Sequence, residues 1–333
     1  MEAWQRVSGA RIVAACDLDP AKAESFAADF GLRPYSDAAA MIEAERPDFV
    51  DIATRPSTHR ALVELVAGRV TNLLLQKPIA ETWEQACQIS NIAQKAGLRL
   101  MMNENWRWQP WYRTIAGLIG ANRIGKPFFY RMEVRHRDGV GDRPFPSQPY
   151  FVEMPRFLLM ETLVHHLDTA RYLMGDIEEV YCRTARLNPV ISGEDFAMIS
   201  LRHGNGALGN GVVGMIDGNR TTQPDEAGEV MGSSRFEGSE ATIQLRGNGE
   251  VWLSGEQVFS GRDLIGYKGD SCRATQQHFI DCLLSGAEFE TEVSDYLNTT
   301  VAAVEACYRS SAENRPVLIA EITRAWPAFL ATW

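Results

Sequence analysis

The chain has 333 residues, 45% hydrophobic and 23% charged, which is enough to bury a large core and, at roughly 100–200 residues per domain, enough for two domains. A formal net charge of -10 without a polybasic run argues against nucleic acid or an anionic membrane as partner, because both are held by clustered positive charge. No stretch reaches the roughly 18 apolar residues of a membrane span, no signal-peptide core opens the chain, and six scattered cysteines form no CxxC pair, so a cytoplasmic protein with free thiols is expected.

"ARIVAACDLD" reads as an apolar strand closed by Asp17, and Ala23, Phe26, Ala27 and Phe30 then recur at helical spacing. In a dinucleotide-binding fold such a strand is the second, and its terminal acid follows a glycine-rich turn by about 20 residues. That turn is therefore expected before Met1. Helices in "DAAAMIEAE", "HRALVELVAG" and "TWEQACQISNIAQKAG" then alternate with "DFVDIAT", "NLLLQ" and "LRLMMNEN". Short, non-alternating strands between helices predict a doubly wound α/β domain with a parallel sheet covered on both faces. Thr82 with Gln85 forms a capping box, and Gly97 is the matching helix stop.

Beyond about residue 125 the pattern changes. "PFFYRMEVRHR", "VYCRTARL", "FAMISLRH", "ALGNGVVGMI", "SSRFEG", "ATIQLRG" and "EVWLSG" read as strands of a mainly antiparallel sheet. One long helix, "PRFLLMETLVHHLDTARYLMG", interrupts them between Pro155 and Gly175, and two more follow in "RATQQHFIDCLLSG" and "SDYLNTTVAAVEACYRSSAENR". The predicted boundaries are residues 1–122 for a dinucleotide-binding domain and 123–333 for a substrate-binding and oligomerisation domain. The Gly- and Pro-rich loop over residues 137–156 is long enough to suggest a function.

Ligands of an open parallel sheet bind beyond the carboxyl ends of its strands. The residues standing there are Asp17, Thr54-Arg55-Pro56 with His59, Gln76-Lys77-Pro78, and Asn103-Glu104-Asn105. Asp17 suits the ribose hydroxyls of NAD or, equally, the N-cap of the next helix; no arginine follows it to welcome the 2′-phosphate of NADP. Lys77 leaves an apolar strand ahead of Pro78, where it could stabilise a substrate alkoxide or stand solvated. On the long helix Glu161, His165 and Asp168 share one face, giving a general base with a carboxylate one turn away, or a polar seam in which Asp168 pairs Arg171 or Arg107. Without an HExxH or a Cys/His cluster, no metal is expected.

These residues resemble the Gfo/Idh/MocA oxidoreductases, the group that includes glucose-fructose oxidoreductase and inositol 2-dehydrogenase, over essentially the whole chain. "LLLQKPIA" is similar to the family's glutamate-lysine-proline motif, and "ETLVHHLD" to its Asp-x-Gly-x-His-x-x-Asp pattern; "ATRPSTH" and "NENWRWQP" look like its nicotinamide-side loops. The resemblance implies that Lys77 and His165 are catalytic, assisted by Glu161, and that Asp17, Thr54, Pro56, His59, Gln76, Lys77 and Asn105 hold the cofactor. It implies that Lys77, Arg107, Arg156, His165 and Asp168 bind a sugar or polyol, and that copies assemble as a homodimer or homotetramer through the C-terminal sheet. The expected activity is an NAD-dependent, or NADP-dependent, dehydrogenation of a CH–OH group; the alternative is a cofactor-free protein that binds or senses a small molecule. Three departures stand out: Gln76 for glutamate, Glu161 and Leu163 for aspartate and glycine, and no first strand or GxGxxG turn ahead of "ARIVAACD".

Overall fold

The computed structural model describes residues 1–204, 211–226, 228–261, 264 and 266–324. The chain divides into two compact units, Met1–Glu104 with Cys272–Leu297, and Asn105–Ser271 with the chain from Asn298 onward. In chain order the first stretch carries β1 (Ala14–Cys16), α1 (Pro20–Phe30), β2 (Arg33–Tyr35), α2 (Ala38–Glu45), β3 (Val50–Ile52), α3 (Pro56–Val66), β4 (Asn72–Gln76), α4 (Trp83–Ala96) and β5 (Arg99–Asn103). The second carries α5 (Pro110–Gly120), β6 (Pro127–Arg135), α6 (Val164–Met174), β7 (Ile177–Ala185), β8 (Phe196–His203), β9 (Val213–Asn219), β10 (Gly232–Gly238), β11 (Thr242–Leu245), β12 (Val251–Leu253) and β13 (Glu256–Phe259). Helices α7 (Ser271–Ser285) and α8 (Val293–Tyr296) then return to the first unit, and α9 (Ala302–Glu313), β14 (Val317–Leu318) and α10 (Ile319–Thr323) close the second.

Local chemistry starts and stops the helices of the first unit. Asp19 caps α1 by accepting from Ala21 N at 3.1 Å, with Pro20 preset in the first turn. Asp37 caps α2 through Ala39 and Ala40 N, and Thr82 caps α4 by accepting from Gln85 N at 3.3 Å. α4 ends at Gly97, whose φ of 62° is the left-handed conformation glycine adopts without penalty. All strand pairs here are parallel, but they form two sheets, β1-β2 and β3-β4-β5. Leu73, Leu74 and Leu75 of β4 are fully buried, as expected of a parallel strand covered on both faces.

The 122/123 boundary inferred from the sequence gives way to a division after Glu104, because α5 packs against α6 and β12 of the second unit, and late helix α7 packs into the first unit. Its Phe279, Ile280 and Cys282 share a core with Trp4, Val7, Leu74 and Met101. Thr291 Oγ1 also donates to Met102 O at 2.7 Å. Strand β2 was not foreseen: "RPY" has little apolar character and pairs only with β1.

The second unit is built on a nine-stranded sheet ordered β13-β12-β11-β10-β6-β9-β8-β7-β14, antiparallel at every pair except β6 with β9. Strand β13 was likewise unforeseen. β9 begins at Val213, and residues 207–210 of the strand expected there lie outside the described residues, as do residues 325–333 at the end of the expected second domain. The long helix does not start at Pro155. It opens with a π-helical turn, Leu158–Leu163, that passes directly into α6 and stops at Gly175. The buried Glu194 carboxylate accepts from Phe157 N at 3.3 Å, Leu159 N at 3.0 Å and Tyr308 Oη at 2.7 Å, so an anion satisfies the donors that begin this turn. At Gly218 on β9 a Cβ atom would stand 2.8 Å from Leu163 Cδ2, so the glycine lets the sheet approach the π turn closely.

Candidate active site

In the first unit the register aligns the ends of the strands. Ile52 stands opposite Leu75, and Gln76 opposite Asn103, so the residues that follow β3, β4 and β5 emerge along one edge of the sheet. Thr54 is exposed, its hydroxyl 2.7 Å from that of Thr58, and Pro56 occupies the first turn of α3. Lys77 is half-buried, and its peptide bond to Pro78 is cis. Gln76 Oε1 accepts from Lys77 N at 2.9 Å, so the amide that stands where the family has a glutamate holds the backbone of the lysine it precedes. Glu104 is fully buried and accepts from Tyr296 Oη at 3.2 Å.

His59, expected to touch cofactor, has both ring nitrogens against backbone carbonyls instead. Nδ1 lies 3.1 Å from Ile79 O and Nε2 3.0 Å from Thr54 O, and burial pushes its pKa down. Both neighbours are acceptors, and a neutral ring donates to only one of them at a time. The residue thus ties the loop after β3 to the loop after β4 through its own ring. Asp17 is exposed beyond β1; its Oδ1 accepts from Asp19 N at 2.9 Å. The helix cap is Asp19, which leaves Asp17 Oδ2 able to accept from a ribose hydroxyl.

In the second unit His165 is buried, 6% exposed, and its ring stacks on Trp106 at 4.4 Å between centroids and 16° between planes. His166 lies tilted against the same indole at 5.7 Å, its Nδ1 3.4 Å from Thr162 O. Glu161 sits in the π turn, where Thr162 Oγ1 donates to its Oε2 at 2.9 Å and Arg220 Nη1 approaches to 3.9 Å. Asn105 Nδ2 donates to Ser271 Oγ at 2.8 Å. Arg107 and Asp168 take the seam reading: they form a buried bidentate pair at 2.7 and 2.6 Å, and Thr300 Oγ1 adds a third donor at 3.0 Å. Arg156 also engages protein, pairing with Glu305 while its guanidinium lies 3.9 Å from the Tyr308 ring centroid. These three expected substrate contacts therefore brace the framework of the second unit.

Sequence reasoning missed Lys268 and Arg220. Lys268 is buried, with Nζ bonded to Glu229 O and 5.4 Å from the Trp106 ring centroid, and burial pulls its pKa down to about 8. It follows no periodic segment, so no pattern marks it. Arg220 stands at the end of β9, also without a motif. Among the described residues no group of three or more His, Cys, Asp or Glu could hold a metal.

The residues present fit the ends of a dinucleotide: Asp17 the adenosine ribose, and the loops with Thr54, Pro56, Gln76 and Lys77 its nicotinamide half. The glycine fingerprint for the pyrophosphate is not found ahead of β1. Two GxGxxG spacings do occur, at Gly204-Gly206-Gly209 and Gly209-Gly211-Gly214, but they follow β8 and run into β9 in sequence, far from β1, and residues 205–210 lie outside the described residues.

Comparison with known proteins agrees. The family model described as "Oxidoreductase family, NAD-binding Rossmann fold" matches residues 1–104, and the GFO/IDH/MocA C-terminal domain matches residues 112–236. The chain is 35% identical to a D-apiose dehydrogenase of Rhizobium rhizogenes over 95% of this chain and 92% of that protein, and 34% identical to one of Paraburkholderia graminis over 100% and 89%. A crystal structure of an oxidoreductase from Agrobacterium radiobacter, in complex with NAD+, L-tartaric acid and magnesium, superposes with a TM-score of 0.88 at 35% identity, covering 97% of this chain and 95% of that one. With both domains matched, the chain belongs to the Gfo/Idh/MocA family and is an NAD-binding oxidoreductase.

Proposed function

We propose that this oxidoreductase dehydrogenates a CH–OH group of a small sugar, with D-apiose or an aldose of similar size as substrate. The observation that carries the reading is that the two D-apiose dehydrogenases match nearly the whole chain at 35% and 34%, whereas an inositol 2-dehydrogenase of Ralstonia nicotianae matches 54% of it at 31%. His165 acts as proton acceptor for the reacting hydroxyl, its plane fixed by the Trp106 stack. Glu161, one turn earlier, orients the imidazole and stabilises its charged form. Lys77 donates to the hydroxyl oxygen and favours the alkoxide. NAD+ supplies the hydride acceptor.

The same reading places the enzyme in the cytoplasm as a homo-oligomer built on the nine-stranded sheet, with the chain beyond the nicotinamide loops serving the substrate. The tartrate bound to the Agrobacterium radiobacter neighbour favours a second reading, a 2-hydroxy acid as substrate. NADH formation from NAD+ with D-apiose, myo-inositol and L-tartrate in parallel tests both: D-apiose is expected to give the highest kcat/KM. Preference for tartrate would move the substrate class to hydroxy acids, and failure to bind NAD+ at all would return the chain to a cofactor-free binding protein.

A further inference from the structure

We infer that Asp138, Arg220 and Thr162 form a hydrogen-bonded relay that positions the Glu161 carboxylate, making Arg220 and Thr162 positioning residues for the proton transfer at His165. The inference rests on the reading of Glu161 as the partner of His165.

The relay runs in one direction. Arg220 Nε donates to Asp138 Oδ1 at 2.8 Å and Nη2 to Oδ2, a fork held on both carboxylate oxygens. Its remaining arm, Nη1, donates to Thr162 Oγ1 at 2.8 Å, and that hydroxyl in turn donates a hydrogen bond to Glu161 Oε2 at 2.9 Å. A hydroxyl that accepts from a guanidinium is polarised into a better donor, so the cation acts on Glu161 twice, through Thr162 and directly across 3.9 Å. Thr162 is 3% exposed and Arg220 4%, so the chain runs through protein.

Arg220 is fixed independently of Glu161. Its backbone N donates to Asp195 O at 3.1 Å and its O accepts from Gly139 N at 2.9 Å. The guanidinium lies 5.3, 5.8 and 5.6 Å from the ring centroids of Phe145, Phe151 and Phe157, three buried aromatics that also pack on one another. Burial would raise the Asp138 carboxyl, but His136 beside it and the Arg220 fork hold it down at about 2, so the anion end of the relay stays charged. Phe145 and Phe151 belong to the long loop over residues 137–156. That loop thus brings Asp138, Gly139, Phe145 and Phe151 against Arg220.

A thermodynamic cycle tests the inference, using the full chain with NAD+ and D-apiose, or the best substrate of the panel above. Thr162→Val keeps the shape and removes both hydrogen bonds; it is expected to lower kcat about tenfold while KM stays within about twofold, and Thr162→Ser to restore it. In a Glu161→Gln background, Thr162→Val is expected to cost nothing further. Arg220→Lys, which keeps the charge and loses the fork, follows the same cycle if Thr162→Val does not fold. Additive losses, or a silent Thr162→Val with an impaired Glu161→Gln, would overturn the relay and leave the reading of Glu161 intact. A Glu161→Gln variant with full activity would overturn that reading itself, and the relay with it.

Discussion

The residues singled out beyond the strands of the first unit and those on the long helix of the second were chosen by similar reasoning, yet the structure treats them differently. Asp17 and Thr54 are exposed and Lys77 is half-buried, each held by a short local bond. Their counterparts in the second unit take their partners from distant segments: buried Asp168 reaches Arg107 and Thr300, and half-buried Glu161 reaches Arg220. A strand end presents its next residue by backbone geometry alone, whereas a buried polar residue on a helix must be satisfied by whatever packs against it. The first unit offers ready-made ligands. The second ties its charged residues to one another across the framework.

The comparison is most sharply tested at His165, which it treats as the acting exception on the helix. His165→Asn is expected to cost about 10²–10⁴ in kcat and to remove any histidine-controlled acid limb from the pH profile of kcat/KM. An unchanged acid limb would pass the base role to another group. Next in size, Asp168→Asn leaves a buried Arg107 cation without its counter-ion, and urea unfolding should report a loss of about 3–5 kcal/mol. If that variant loses activity at unchanged stability, Asp168 is a substrate ligand after all and the framework description fails.

On the first unit's side, Lys77→Ala should lower kcat by about 10² while leaving the fold and NAD+ affinity nearly unchanged, since its effect lies on the developing oxyanion. A large drop in melting temperature would make the lysine a structural residue like those of the second unit. The smallest effect is expected at Asp51 on β3, a half-buried acid of the first unit. Burial raises its pKa to about 6, against the hydrogen bond from Trp4 Nε1 at 2.7 Å. A carboxyl raised above its unfolded value gives its stability at low pH and loses it as pH rises through about 6. Asp51→Asn should therefore stabilise the protein at pH 7, by at most ~3 kcal/mol and less because the residue is only half-buried, and change little at pH 4. Equal urea midpoints for the two proteins at pH 7 would contradict this.

The sequence by itself determined the helices of the first unit, the cores of its longer strands and the family, because each depends on local signals: a cap such as Thr82, a stop such as Gly97, an apolar run such as "NLLLQ". It also singled out Lys77 and His165 as candidates through motifs of a few residues. It did not show that "RPY" is a strand, since three residues without apolar character carry no period, nor that α7 belongs with the first unit, since that follows from a core shared with Trp4 and Leu74, both more than two hundred residues away. The π turn beneath Glu161, the pairing of Arg107 with Asp168, the two carbonyls at His59 and the reach of Arg220 to Thr162 were likewise decided only by the tertiary structure. Buried polar groups take partners wherever packing brings donors and acceptors together, and no spacing along the chain records that choice.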